Sequence, residues 1–417
     1  MGTRALINQP GFHASAGRKI AVRGGDTILL LAVIALVVFG LLMLYSASWD
    51  YSLNILHKAP WYLFERQLIW VGIGIVIAFF LARFDYHHWQ KLALPGMILT
   101  IALLLGVLLV NEIRLGATRT IYNGSLQPSE GAKLVTVIYL SVWLYAKREQ
   151  LHDLQMGLIP LGMILGIIGG LIYLQPDLSA TGTVLILGGL LFFLAGGDLR
   201  QITLLLIFAI IVGWIVIRFH PTGHERVTSY WLGLIDPIKS SYHVQRCLES
   251  IVKGGLFGVG IGRGDTKLLS LPSPAFDSIF AVVAEELGLF GSLVILSIFC
   301  VLVWRGLVIA RRTPDMLGSL LASGLVFWIG LEALINMAAI VGVLPFAGNA
   351  LPFFSAGGSS MTIMLAAIGI LLNISRQTGE VQIADEEWRT NSANSDLRWW
   401  NRRRRISRPR RSEGHEG

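Results

Sequence analysis

The sequence is short of charge. Only 14% of its 417 residues are Asp, Glu, Lys or Arg, against about a quarter in a water-soluble domain. So few charges cannot cover a water-facing surface. A length that would otherwise suggest two or three soluble domains reads instead as one integral membrane domain with short polar ends. Cysteine is scarce too. Cys247 falls in a loop segment and Cys300 inside an apolar run, so neither a disulfide framework nor a thiolate metal site is expected. His87 and His88 are adjacent, a poor geometry for one metal ion, and no zinc or haem spacing occurs elsewhere. A Walker lysine pattern and a nucleophile elbow are also missing. Acid does not balance base: the formal net charge is +8, with Arg402 through Arg405 among the clustered cations of the ends. That excess reads as attraction to anionic lipid headgroups and not to nucleic acid.

What the chain does have is apolar runs, with 54% hydrophobic residues. Runs fall at roughly 27–48, 67–82, 92–110, 131–146, 156–174, 179–196, 201–219, 278–304, 316–341 and 359–375, each about long enough to cross a bilayer. The first is too long for a signal-peptide core, and no small-residue cleavage site follows it. The expected fold is all-α: a polytopic integral membrane protein with about ten transmembrane helices. An even number of spans puts both termini on one side. Loops on that side carry Arg83, Lys91, Lys147, Arg148, Arg200, Arg305, Arg311 and Arg312, so it is expected to be cytoplasmic. The domain division is then 1–26, a basic cytoplasmic segment; 27–375, the membrane domain; and 376–417, a polar tail, disordered or at the membrane surface.

The longest opposite loop, 220–277, precedes the eighth helix. It carries Arg226, Lys239, Arg246, Lys253, Arg263 and Lys267. Cations outside run against the topology bias, so either an anionic ligand or plain solvation of a long loop accounts for them. Its glycines, Gly254 through Gly264, read as close helix or re-entrant packing more than as a phosphate cradle.

Acidic residues gather at the outer ends of the runs. Gln127-Pro128-Ser129-Glu130 and Gln175-Pro176-Asp177 each open a helix: Pro suits the first position and a carboxylate complements the dipole. Glu130 shares a helix face with Lys133, and a charge pair inside the outer layer needs a protein cavity. Asp277 precedes a long run. It is either an N-cap or a partly desolvated carboxylate able to serve as a general base. Glu285 and Glu286 lie further along that run, and Glu332 and Asn336 stand one turn apart in the next, where interhelical hydrogen bonding is the favoured reading. Ser359 and Ser360 open the last helix, whose free N–H groups could hold an anion.

In order and spacing these pieces resemble the FtsW/RodA/SpoVE (SEDS) family of peptidoglycan glycosyltransferases, over about residues 27–375. Gly116-Ala117-Thr118-Arg119, Gln127 to Glu130 with Lys133, Gln175 to Leu178, Asp236-Pro237 with Tyr242, Lys253 to Gly258, Asp277 to Ala281, Glu285 to Gly288, Asn336, Leu344-Pro345, Leu351 to Phe353 and Gly357 to Ser360 carry the likeness. Residues 40–48 and 226–231 lean toward the FtsW branch. The resemblance implies polymerisation of lipid II into glycan strands at the outer face of the bacterial cytoplasmic membrane, for cell division or cell shape. It implies Asp277 as catalytic base and a substrate-binding set of Arg119, Glu130, Lys133, Asp177, Arg226, Lys253, Ser359 and Ser360. Arg119 and the basic loop would stabilise the diphosphate, while Glu285, Glu286 and Asn336 would be structural polar residues. Its partners would be lipid II, a class B penicillin-binding protein transpeptidase and other division or elongation membrane proteins. No metal ligand set is read from the sequence; a divalent cation, Mg or Mn, is the optional cofactor. The chain departs from the family pattern where Ser273 and Ala275 replace Glu and His, Thr120 replaces Trp, Ala356 replaces Tyr, and Arg246 and Glu332 replace Gln. A precursor flippase and a non-catalytic scaffold are the competing readings.

Overall fold

In a computed structural model of the chain, residues 25–110, 127–219 and 221–379 are described. Asp26–Thr378 fold as one unit, and the described residues contain helices and no strand. Each expected run becomes a helix: α1 (Thr27–Asp50), α2 (Tyr62–Leu81), α3 (Trp89–Val110), α4 (Pro128–Ala146), α5 (Ile159–Leu174), α6 (Leu178–Leu194) and α7 (Leu199–Phe219). The 220–277 segment adds three more, α8 (Pro221–Ile235), α9 (Tyr242–Gly254) and the single turn α10 (Thr266–Leu269). Then come α11 (Ile279–Arg312), α12 (Met316–Ile340) and α13 (Gly358–Gly379). Among the described residues seven helices are long and apolar enough to cross a membrane: α1, α2, α3, α5, α11, α12 and α13. The other expected spans, α4, α6 and α7, are helices as well; α6 is short, and α4 carries Glu130 and Lys133.

Capping follows elementary rules. Asp26, Asp177 and Asp315 accept hydrogen bonds from first-turn amides of α1, α6 and α12, which satisfies donors that have no partner within the helix. Pro128 occupies the start of α4, where its missing N–H costs nothing. The centre is α12, whose Trp328 is fully buried, packed against α4, α6, α9 and α11. Glycines allow close approach on α13: a Cβ on Gly369 would lie 2.6 Å from the carbonyl oxygen of Ala78 on α2. Large apolar side chains on α2, α3 and α7 face outward, among them Ile69, Phe80, Leu99 and Phe208. That exterior suits hydrocarbon and not water.

α11 is broken near its N-terminal end. Gly288 takes φ 68° and ψ −167°, a region open essentially to glycine alone. The break frees backbone groups, and the glycine-rich segment after α9 takes them up. Val259 and Gly260 donate to the carbonyls of Glu285 and Glu286, and Leu289 and Phe290 donate to those of Gly255 and Leu256, all at 3.0–3.1 Å. Non-helical backbone at this depth is tolerated because protein satisfies it. The packing reading of the glycines is therefore the one the structure adopts. Gly254 and Gly258 leave no room for a Cβ against Ala284 and Glu286.

The loop's cations are mostly paired locally. Arg246 and Lys253 flank Glu249 at 2.6 and 3.1 Å, Lys239 lies 3.6 Å from Asp236, and Lys267 is buried against Glu286. Much of this positive charge is thus answered within the loop and its docking surface. Cys247 is buried and Cys300 exposed, and both are free.

Gly288→Ala adds a Cβ 2.3 Å from the Gly258 amide nitrogen in a backbone region that disfavours side chains. The variant is expected to lose at least ~2 kcal/mol, seen as a lower thermal unfolding midpoint of the detergent-solubilised chain.

Candidate active site

A cavity of about 380 Å³ opens between α4, α6, the start of α11, α12 and the 348–360 segment. Its walls carry Glu130, Lys133, Asp177, Asp277, Glu332, Ser359 and Ser360. Sequence positions spread over more than half the chain meet here because α12 packs against α4, α6 and α11.

Lys133 lies at the centre of the polar wall. Its ammonium donates to Glu130 Oε1 at 2.7 Å and to Glu332 Oε1, and it stands 5.8 Å from the Trp328 ring centroid. All three charged side chains are at most 10% exposed. Glu130 is held further by the Ser360 hydroxyl at 3.2 Å. A buried pair of carboxylates with one ammonium is costly to desolvate and survives only when each charge is met. Glu332, read from the sequence as an interhelical hydrogen bonder, is such a bond and also a cavity wall.

Asp177 is fully occupied. Oδ1 accepts from Ala180 N and Ser179 Oγ, and Oδ2 from Gln127 Nε2 and Ser129 Oγ, at 3.0–3.2 Å. It caps α6 and ties that helix to the start of α4. The Ser359 hydroxyl accepts from the Gln127 amide at 3.1 Å. The α13 serines thus bond within the protein as well as lining the cavity.

Asp277 differs from its neighbours. Its Oδ1 is buried without a hydrogen-bond partner. Burial pushes its carboxyl up to about 6, while its own and Ser278's backbone amides and the Arg226 guanidinium pull the other way. Its carbonyl accepts from Asn336 Nδ2 at 2.9 Å, and the same amide group donates to the Asn349 carbonyl at 2.6 Å. Asn336 therefore sets the Asp277 main chain against the 348–350 wall. That wall is supported by Ser355, which donates to the Phe276 carbonyl at 2.6 Å and accepts from the Leu351 amide at 2.7 Å. Gln67 on α2 bridges Ser355 and Gly357 at 3.2–3.3 Å. Ser273 and Phe353 hold φ 50° and 65° beside this site, an uncommon backbone state for residues with a side chain.

The other expected residues fall elsewhere. Arg226, on α8, donates to the Ala347 carbonyl at 3.3 Å and lines a second cavity of about 460 Å³ with Tyr230, His243 and Phe346. Its charge still reaches Asp277. Lys253 sits at the end of α9 with Glu249 and lines neither cavity. Arg119 lies outside the described residues. Glu285 accepts from the amides of Asp265 and Thr266 at 3.0 and 3.1 Å, and Glu286 bonds Ser46 and Lys267. Both brace the 265–267 turn, a structural role. Sequence reading did not single out Gln67, Ser355 or His243: an isolated polar residue in an apolar run or loop carries no spacing signal. Among the described residues no three His, Cys, Asp or Glu side chains converge as metal ligands, so those residues build no all-protein cage for Mg or Mn.

Removing the Lys133 ammonium alone strands two buried carboxylates. Lys133→Met is expected to cost about 3–5 kcal/mol, and Lys133→Met with Glu130→Gln and Glu332→Gln to recover most of it. Thermal unfolding of the purified variants makes the comparison.

The profile of the FtsW/RodA/SpoVE cell cycle protein family matches residues 26–380. The chain is 36% identical to stage V sporulation protein E of Bacillus subtilis, over 84% of this chain and 97% of that protein. It is also 36% identical to a probable peptidoglycan glycosyltransferase FtsW of Trichlorobacter lovleyi, over 84% and 93%. Among solved structures, a chain from a peptidoglycan synthase complex that coordinates polymerization and crosslinking superposes with a TM-score of 0.70 at 27% identity, covering 85% of this chain and 98% of that one. The rod shape determining protein RodA of Thermus thermophilus superposes with a TM-score of 0.62 at 26% identity, covering 85% and 97%. With matches of this length in both sequence and fold, the chain belongs to the FtsW/RodA/SpoVE family.

Proposed function

We infer that the chain is a peptidoglycan glycosyltransferase that polymerises lipid II at the outer face of the bacterial cytoplasmic membrane, with both termini in the cytoplasm. One observation carries the chemical part. Among the carboxylates lining the cavity, Asp277 combines partial desolvation with a buried oxygen that no hydrogen bond occupies, as a general base requires. Relatives named as probable peptidoglycan glycosyltransferases and the synthase-complex neighbour support the same reading.

The Asp277 carboxylate takes the proton of the acceptor sugar 4-hydroxyl. The freed oxygen attacks the anomeric carbon of the donor as its bond to the diphosphate oxygen breaks. Undecaprenyl diphosphate leaves with the bonding electron pair. Among the described residues Lys133 is the one cation lining the cavity, and Glu130 and Glu332 already hold it, so this cavity suits neutral sugar hydroxyls. Arg226, on the other side of Asp277, is placed to meet developing negative charge on the diphosphate, and Arg119 remains a second candidate for that task. A class B penicillin-binding protein is the partner that would cross-link the strands, alongside other division or elongation membrane proteins. A flippase needs charge along a path through the membrane; the cavity charges described here lie near the outer ends of α4, α6, α11 and α12.

Asp277→Asn is expected to lower glycan polymerisation from purified lipid II by at least about 100-fold, read as strand length on gels; equal activity in the variant would remove Asp277 as the base. The base works ionised. Its carboxyl titrates at about 6, so kcat/KM should fall about tenfold per pH unit below that value and level off above it.

A further inference from the structure

The wall between the two cavities contains a histidine that the proposed chemistry does not use. His243, in the first turn of α9, has its Nε2 2.5 Å from the Ser278 hydroxyl. Its ring stacks on Phe346, with centroids 3.9 Å apart and planes at 29°. Ser278 is fully buried, follows Asp277 directly and is the N-cap residue of α11, yet its hydroxyl makes no capping bond. A serine at that position ordinarily turns its oxygen toward a first-turn amide. Here the hydroxyl is given to α9 instead, between the His243 ring and the Cys247 thiol.

We propose that His243 is a positioning residue for Asp277: through Ser278 it clamps the residue that follows the base, as Asn336 clamps the carbonyl of the base itself. The proposal rests on the glycosyltransferase reading for its kinetic consequences and on the geometry alone for the clamp. Asp277 leaves Oδ1 without a hydrogen-bond partner, so its carboxylate has little side-chain bonding to fix it. Its direction is then set by the main chain on either side. Asn336 reaches it from α12 at 2.9 Å, and His243 reaches Ser278 from α9. The stack on Phe346 holds the ring in one plane, so the contact is oriented and not loose.

The charged and titratable groups on the elements around the ring are Glu225, Arg226 and Tyr230 on α8, Cys247 on its own helix, and Asp277 across Ser278, of which Arg226 acts on the imidazole; the 341–346 segment presents Phe346, with no charge. Burial first, and Arg226 second, bring the imidazole down to about 4. At any pH where Asp277 is ionised the ring is therefore neutral. A neutral ring with its proton on Nδ1 accepts the Ser278 hydroxyl at Nε2 and adds no cation beside the base.

The test compares the full-length chain with His243→Ala, His243→Gln, Ser278→Ala and the His243→Ala/Ser278→Ala pair. Gln serves because its side-chain amide reaches about as far as the imidazole Nε2. With lipid II, His243→Ala is expected to lower kcat about tenfold with KM unchanged within about twofold, a loss of orientation and not of binding. His243→Gln should recover most of that loss. Ser278→Ala should match His243→Ala, and the pair should be no worse than either single change, because both remove one contact. A second arm needs no turnover: the rate at which a water-soluble carbodiimide labels Asp277, read by mass spectrometry, should change severalfold in His243→Ala and stay near the wild-type rate in His243→Gln. Wild-type protein inactive on lipid II would count against the enzyme reading, and the labelling arm would still decide the clamp. An unaltered labelling rate in His243→Ala overturns the proposal, as does a His243→Gln variant as impaired as His243→Ala.

Discussion

One ammonium shared between two buried carboxylates organises the half of this protein that holds the polar cavity. Lys133 on α4 meets Glu130 on its own helix and Glu332 on α12, and Glu130 passes the linkage to Ser360 on α13. In a medium of low dielectric each of these charges is tolerable only while the others are present. The three helices are therefore held at one separation and one rotation, and the cavity they bound inherits that geometry. One turn along α12 from Glu332, Asn336 reaches the carbonyl of Asp277. The helix that carries the charge cluster thus also holds the main chain of Asp277.

A second constraint acts on the other side of Asp277. Backbone groups at membrane depth must find partners within the protein. α11 is nevertheless interrupted at Gly288, and the freed amides and carbonyls are taken by the glycine-rich segment that follows α9. The loop is thereby bonded to the helix it precedes in sequence. Glu285 and Glu286 complete the attachment, one accepting amides of the 265–267 turn and the other pairing with Lys267 and Ser46. These acids lie inside a membrane protein, yet they brace a loop and line neither cavity.

These two devices leave Asp277 between rigid supports, with one carboxylate oxygen unclaimed. Catalytic groups benefit when their surroundings, and not their own bonding, fix their direction. The neighbouring carboxylates show the alternative: Glu130 and Asp177 have both oxygens engaged by protein donors and so serve better as walls than as bases. The two cavities also differ in charge: among the described residues one is lined by four carboxylates and Lys133, and the other carries Arg226.

Hydropathy determined the membrane class, the helices and their approximate ends, because a 20-residue apolar segment has few other uses. Motif spacing marked Glu130 with Lys133, Asp177, Asp277 and the last-helix serines, because helix starts carry strong local signals in Pro, Asp and Ser. Sequence could not say that Glu332 would complete the Lys133 cluster, since nothing local ties position 133 to position 332. Nor could it separate the cations of the 220–277 loop. Lys253 and Arg246 pair within α9, Lys239 pairs with nearby Asp236, Lys267 is buried, and Arg226 faces the neighbourhood of Asp277, yet in sequence they look alike. Gln67, Ser355 and His243 were invisible for the same reason: each acts through one contact across the fold, and a single polar residue has no periodicity. The helices are local and follow from composition; the site is a set of long-range contacts, which only the packing of α4, α9, α11, α12 and α13 could decide.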